Sequence, residues 1–172
     1  EMKNAGKIDI YQAEKLFLGQ YIKELEKVFN YVCRIPIRNS KSQLSKYQMI
    51  FATNNKHGIL LMADNMISCT NQMDVNINHG QPCLFDYEYR VMDCKEFIAE
   101  ELPEAFIELK DFYAHLYKKK GFQYLIKDMN TAIKQLEEED KLEILRYPSH
   151  TPTGRPSKSM DIYKNTIKIK RK

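Results

Sequence analysis

From residue 93 to the end of the chain, three stretches with helical spacing of apolar residues precede two extended stretches around a loop. The loop is rich in Pro, Gly, Ser and Thr. Three helices, a strand, a basic loop and a returning strand are the chain order of a winged helix-turn-helix. The predicted elements are helices near 93–102, from Pro103 to about 119 and over about 123–139, a strand over 142–147, a loop over 148–159 and an extended stretch over 160–172.

The first part of the chain has a different order of elements. Apolar residues that include Leu18 and Tyr21 recur at a spacing of three and four, which predicts an amphipathic helix. Pro36 favours a sheet edge for the strand that contains it. The predicted elements are a helix over 11–32, strands over 31–37 and 47–53 around a polar loop at 39–45, and a helix that begins after Asn54 or Asn55 and buries Ile59, Met62, Ala63 and Met66.

These patterns predict an α/β protein with two units. Residues 1–68, with the order helix, strand, strand, helix, look like the terminal part of a Rossmann-like sheet. Residues 69–90 are polar and are predicted to form an irregular connector. Residues 91–172 are predicted to form the winged helix-turn-helix, in which Phe106 and Leu125 face inwards. The chain begins with Glu, which is compatible with a piece of a longer polypeptide.

The distribution of charge points to an anionic partner of the C-terminal region. The formal net charge is +4, but residues 110–172 carry 15 Lys or Arg against 8 Asp or Glu. Residues 1–109 carry 12 against 15. A basic region of this kind is a reason to consider nucleic acid as the partner. A solvated lysine-rich surface is the alternative.

A winged helix-turn-helix places the exposed face of its recognition helix in the major groove of DNA. The face opposite the apolar stripe of the third helix carries polar and basic residues that can contact phosphates or base edges. The loop offers an Arg on a tight turn, a shape that fits a minor groove or a row of phosphates. The candidate nucleic-acid-binding residues are Lys118, Lys119, Lys120, Lys127, Asn130, Thr131, Lys134, Arg155 and Lys158.

The sequence shows no recognisable catalytic centre. The six glycines are isolated, so neither a dinucleotide-binding turn nor a phosphate loop is present. The four cysteines, Cys33, Cys69, Cys83 and Cys94, lack the close spacing of metal ligands and are predicted to be reduced thiols. We therefore predict no catalytic residue, no metal and no cofactor. No apolar run approaches the roughly 20 residues of a membrane-spanning helix, and we expect a cytoplasmic protein.

Two stretches resemble a known family. Residues 47–62, YQMIFATNNKHGILLM, resemble the strand-and-helix signature of the three-Cys-motif partner proteins. Residues 132–142, AIKQLEEEDKL, resemble part of that family's C-terminal winged helix. The resemblance implies a bacterial or phage protein with a methyltransferase-like Rossmann domain followed by a winged helix-turn-helix. The strands that would carry the cofactor turn are absent from this chain, so no S-adenosylmethionine site is transferred.

Three functions remain open from the sequence. The first is a module that binds double-stranded DNA within a larger assembly. The second is a protein-interaction or dimerisation module, with a protein partner or a second copy of the chain. The third is the C-terminal part of a methyltransferase-like enzyme whose catalytic half lies elsewhere.

Overall fold

The computed structural model describes residues 10–37, 47–77 and 86–172. These residues form an α/β protein with five helices and two small antiparallel sheets. The predicted loop at 39–45, Cys83 and residues 78–85 of the predicted connector lie outside the described residues. The elements are α1 (Ile10–Glu26), β1 (Tyr31–Ile37), β2 (Tyr47–Thr53), α2 (Lys56–Ile77), α3 (Asp86–Glu101), β3 (Ile107–Glu108), α4 (Leu109–Lys120), α5 (Ile126–Glu138), β4 (Leu142–Tyr147) and β5 (Thr166–Arg171).

The first sheet consists of β1 and β2, and both strands have the predicted bounds. They pair antiparallel along their whole length, with Tyr31 opposite Thr53. The predicted helix over 11–32 is too long, since α1 ends at Glu26 and Val32 lies in β1. The apolar pattern continues across that boundary, so the pattern alone did not separate helix from strand. Tyr21, predicted on the buried face, is 48% exposed.

Helix α2 begins where it was predicted and ends later. The side chain of Asn55 accepts a hydrogen bond from the backbone N–H of His57 (2.8 Å), which caps the helix start. Ile59 and Ala63 are fully buried. The helix continues to Ile77 and α3 begins at Asp86, so the prediction of an irregular connector over 69–90 is wrong at both ends.

The second sheet places β5 between β3 and β4. The strand over 142–147 has the predicted bounds, whereas the stretch 160–172 is a strand only from Thr166 to Arg171. Strand β3 was not predicted. Ile107 pairs with Ile169 of β5, so the second helix starts at Leu109 rather than at Pro103. Phe106 therefore precedes a short strand, and its side chain is 39% exposed instead of facing inwards.

Helices α4 and α5 are joined by a five-residue turn. Gly121 follows the last residue of α4 with a positive φ of 78°, which glycine adopts at little cost, and its N–H donates to the carbonyl of Tyr117 (2.8 Å). Helix α5 starts at Ile126, three residues after the predicted start. Leu125 is the residue before the helix and is half-buried rather than inside the core.

One apolar core joins the two predicted units. Ile59 and Leu60 of α2 belong to the same buried cluster as Tyr113 and Tyr117 of α4. The ion pair between Lys56 and Asp111 (2.7 Å) also links α2 to α4. The predicted division into domains remains a prediction, and α2 packs against α4.

Candidate nucleic-acid interface

Helix α5 presents a polar face to solvent. Lys127, Thr131 and Lys134 are exposed and follow one another at intervals of four and three residues, which places them on one side of the helix. The opposite side is buried through Met129 and Ile133, which fixes the rotation of the helix on the core. The hydroxyl of Thr131 donates to the carbonyl of Lys127 (3.0 Å), so this side chain is folded against its own helix.

Asn130 is half-buried and tied to α4. The buried hydroxyl of Tyr113 donates to Oδ1 of Asn130 (2.8 Å). Pairing with adenine requires a carbonyl acceptor and an amide donor on the same side chain. Because one lone pair of Oδ1 is already used, Asn130 could read adenine only with its second lone pair. The predicted contact stays a prediction, and Tyr113 is an orienting partner that the sequence did not indicate.

The 148–159 loop contains a tight turn at its tip. The N–H of Thr151 donates to the carbonyl of Arg155 (2.8 Å), and the N–H of Gly154 donates to the carbonyl of Thr151 (2.9 Å). Gly154 has a positive φ of 77°, which a residue without a side chain adopts at little cost. These bonds fix the backbone of the turn, and the Arg155 side chain is exposed.

A groove of about 530 Å³ separates α5 from this loop. It is open to solvent and brings together residues that are far apart in the chain. Its lining consists of Lys134, Glu137 and Glu138 of α5, Arg146 of β4, and Pro156, Ser157 and Lys158 of the loop. Two of the predicted site residues, Lys134 and Lys158, therefore border the same groove.

An ion pair joins α5 to β4 at this groove. The two terminal nitrogens of Arg146 donate to the two carboxylate oxygens of Glu137, at 2.8 Å and 2.6 Å. The Arg146 side chain is only 12% exposed. A planar guanidinium paired with a carboxylate in this way holds both groups in one geometry. Arg146 is thus engaged in the fold rather than free for a ligand, and no local sequence signal links it to Glu137.

The predicted triad of lysines lies at the end of α4, outside the lining of the groove. All three side chains are exposed. Lys119 pairs with Glu101 of α3 (2.7 Å), and its ammonium lowers the pKa of that carboxyl. The ammonium of Lys120 lies 5.7 Å from the centre of the Phe97 ring. Two of these three lysines therefore contact α3, and Lys118 has no ionic partner among the described residues.

The remaining candidate cations have no ionic partner in the described part of the chain. Lys127, Lys134, Arg155 and Lys158 are all exposed there and make no ion pair. Several other lysines of the C-terminal region are neutralised locally, including Lys141 by Glu139 (2.7 Å). These four cations lie on α5 and on the 148–159 loop, and Lys118 on α4 is a further exposed cation without an ionic partner among the described residues.

Two of the three described thiols are shielded from solvent. Cys33 and Cys94 are buried, and burial raises the pKa of each to about 12. Cys69 is exposed. Within residues 10–37, 47–77 and 86–172, no three His, Cys, Asp or Glu side chains are grouped so that they could hold a metal ion.

None of the described helices is long and apolar enough to cross a membrane. Comparison of the chain with family models, with curated proteins and with solved structures finds no match.

Proposed function

We propose that residues 86–172 form a winged helix that binds double-stranded DNA within a larger assembly. Helix α5 is the recognition helix, and the 148–159 loop is the wing. The observation that carries this proposal is the set of exposed cations on these two elements that have no ionic partner among the residues the structure describes, Lys127, Lys134, Arg155 and Lys158. Unpaired cations on adjacent elements suit a backbone of phosphates.

The arrangement of the elements supports the proposal. The chain order is α3, β3, α4, α5, β4, β5, and the middle strand of the sheet is the last in sequence. This order places the helix pair α4–α5 before a β-hairpin whose loop stands beside α5. The groove between α5 and that loop separates the two surfaces that would contact DNA.

The contacts expected in the complex follow from the positions of the side chains. The exposed face of α5 would enter the major groove with its N-terminal half, where Lys127 and Thr131 lie. Arg155, at the tip of the rigid turn, would contact the minor groove or the phosphates beside it. Lys134 and Lys158 would bind phosphates on the two sides of the groove.

A titration of a fluorescent duplex at several salt concentrations tests this proposal. The logarithm of affinity should fall linearly with the logarithm of salt concentration. The double variant Lys127→Ala/Lys134→Ala should bind more weakly and should reduce the slope by about 1.8, if each lysine neutralises one phosphate. Arg155→Ala should weaken binding separately.

The matched control removes two exposed lysines that are not among the proposed DNA-binding residues. Lys15→Ala/Lys23→Ala, on α1, changes the net charge by the same amount. We expect this variant to retain most of the wild-type affinity. Absence of any duplex binding by the wild-type protein at low salt would refute the proposal. An equal loss in both double variants would show that net charge, rather than α5, carries the binding.

A second candidate function, protein interaction, is favoured by the exposed apolar residues of α1. Phe17 is 68% exposed, and its ring stacks on that of Tyr21 at 6.5 Å. Exposed aromatic clusters of this kind are common at protein interfaces. Size-exclusion chromatography with light scattering, on the chain alone and mixed with candidate partner proteins, tests this function. A monomer that forms no complex with them would count against it.

For the N-terminal unit we propose the terminal part of a Rossmann-like domain, as the resemblance to three-Cys-motif partner proteins implies. The order α1, β1, β2, α2 supports this proposal. An enzyme whose catalytic half lies elsewhere is the related alternative. A native mass well above that of 172 residues would support it.

A further inference from the structure

The first turn of α5 is capped by a side chain from another helix. The backbone N–H of Ile126, the first residue of α5, donates to Oδ1 of Asp64 on α2 (3.0 Å). Leu125, which precedes the helix, provides no side-chain cap. The first N–H groups of a helix have no partner within the helix, and a carboxylate also complements the positive end of the helix dipole. Asp64 thus performs the role that a Ser, Asp or Asn before the helix would normally perform.

Helix α2 is firmly held where it supplies this carboxylate. On either side of Asp64 in sequence, Leu60 and Ile67 are buried in the shared core. Lys56 pairs with Asp111 of α4 at the start of the helix. The turn between α4 and α5 is fixed from the other side, because the hydroxyl of Tyr117 donates to the carbonyl of Tyr124 (2.8 Å).

We propose that Asp64 is a positioning residue for the DNA-binding face of α5. It fixes the first turn of the helix, which contains Lys127, and thereby the start of the face that continues to Thr131. The effect of Asp64 on DNA binding rests on the proposed function. The effect of Asp64 on the start of α5 does not depend on that function. It assigns to the N-terminal unit a direct role in the site.

Amide hydrogen exchange tests the structural part of the inference. Asp64→Ala should accelerate exchange at Ile126 by about fivefold, the effect of losing a typical helix cap. Asp64→Asn keeps an oxygen acceptor and should restore most of the protection. Leu18→Ala, which destabilises α1 instead, should leave Ile126 at its wild-type rate under native conditions. Wild-type exchange in Asp64→Ala, or equal acceleration in Leu18→Ala, would overturn the inference.

The positioning role is tested by whether the affinity for a DNA duplex rises or falls when Asp64 is replaced. Removal of a negative charge alone should strengthen binding to DNA. We expect Asp64→Ala to weaken binding severalfold, whereas the control Glu24→Ala, which removes an exposed carboxylate on α1, should not. Asp64→Asn, which removes the charge and keeps the acceptor, should bind at least as tightly as the wild type. Unchanged or tighter binding by Asp64→Ala would overturn the positioning role. If the wild-type protein binds no duplex, the proposed function fails, and hydrogen exchange still decides whether Asp64 caps α5.

Discussion

Replacing Glu137 with alanine should destabilise the fold by about 2 kcal/mol, because it leaves the charge of Arg146 without a partner. The wild-type pair has two charge-assisted hydrogen bonds, at 2.8 Å and 2.6 Å. Loss of a hydrogen-bond partner from a charged group that is mostly out of water costs about 1.5–3 kcal/mol. The value is below the 3–5 kcal/mol of a fully buried pair, because the Glu137 side chain is 35% exposed.

The assay is equilibrium urea unfolding, with thermal unfolding as a second measurement. For a chain of this size, a loss of about 2 kcal/mol should lower the melting temperature by about 4–8 °C. Arg146 should be sensitive to this loss because its Nε atom is already buried without an acceptor among the described residues. The surroundings of Arg146 therefore offer few hydrogen-bond acceptors that could replace the lost carboxylate.

The exposed pair Glu24–Lys27 provides the matched control. Both side chains are 67% exposed, so Glu24→Ala should change stability by less than about 0.5 kcal/mol. In an Arg146→Met background, Glu137→Ala should also have an effect below about 0.5 kcal/mol, since the charge to be neutralised is gone. If Glu137→Ala is as harmless as Glu24→Ala, or equally harmful in the Arg146→Met background, the reasoning is wrong.

Two further predictions concern titratable side chains. At neutral pH, iodoacetamide should modify Cys69 in the folded protein and should leave Cys33 and Cys94 unmodified until denaturant is added. The reason is that burial raises the pKa of both Cys33 and Cys94 to about 12. Peptide mass mapping identifies the modified cysteines. The Lys141 ammonium is the largest cause that lowers the pKa of Glu139 to about 2, so the stabilisation from this carboxylate is present above pH 4.5 and is lost as the pH falls towards 2. Melting temperatures of the wild type and Glu139→Gln should therefore converge over that interval, and a constant difference would contradict the assignment.

Local patterns predicted those elements whose structure depends on local residues. Strands β1, β2 and β4 have their predicted bounds because each run is flanked by polar residues or, after β4, by Pro148. Strand β3 contains two residues, and its identity as a strand depends on β5, some sixty residues later. No pattern in two residues can indicate such a pairing, and the helix predicted from Pro103 therefore began too early.

The candidate site also combines features that follow from local sequence with features that depend on contacts between distant residues. The period of an amphipathic helix predicts Lys127 and Lys134 on the exposed face of α5, and both side chains are exposed. The sequence could not show that Asp64 caps this helix or that Glu137 engages Arg146, because both contacts depend on tertiary packing. Tyr113, which holds Asn130, is a core aromatic residue in sequence and shows its polar role only in the fold.

The position of the acidic side chains determines how DNA would lie on the proposed site. Glu138 borders the groove one turn after Lys134 and is exposed, so a phosphate near the end of α5 would face a negative charge. Repulsion there and attraction at Lys127 favour contact of the DNA with the N-terminal half of α5. This is also the end of α5 that Asp64 caps. The fold thus divides the positive charge of the C-terminal sequence, because it pairs some cations internally and leaves Lys127, Lys134 and Arg155 exposed.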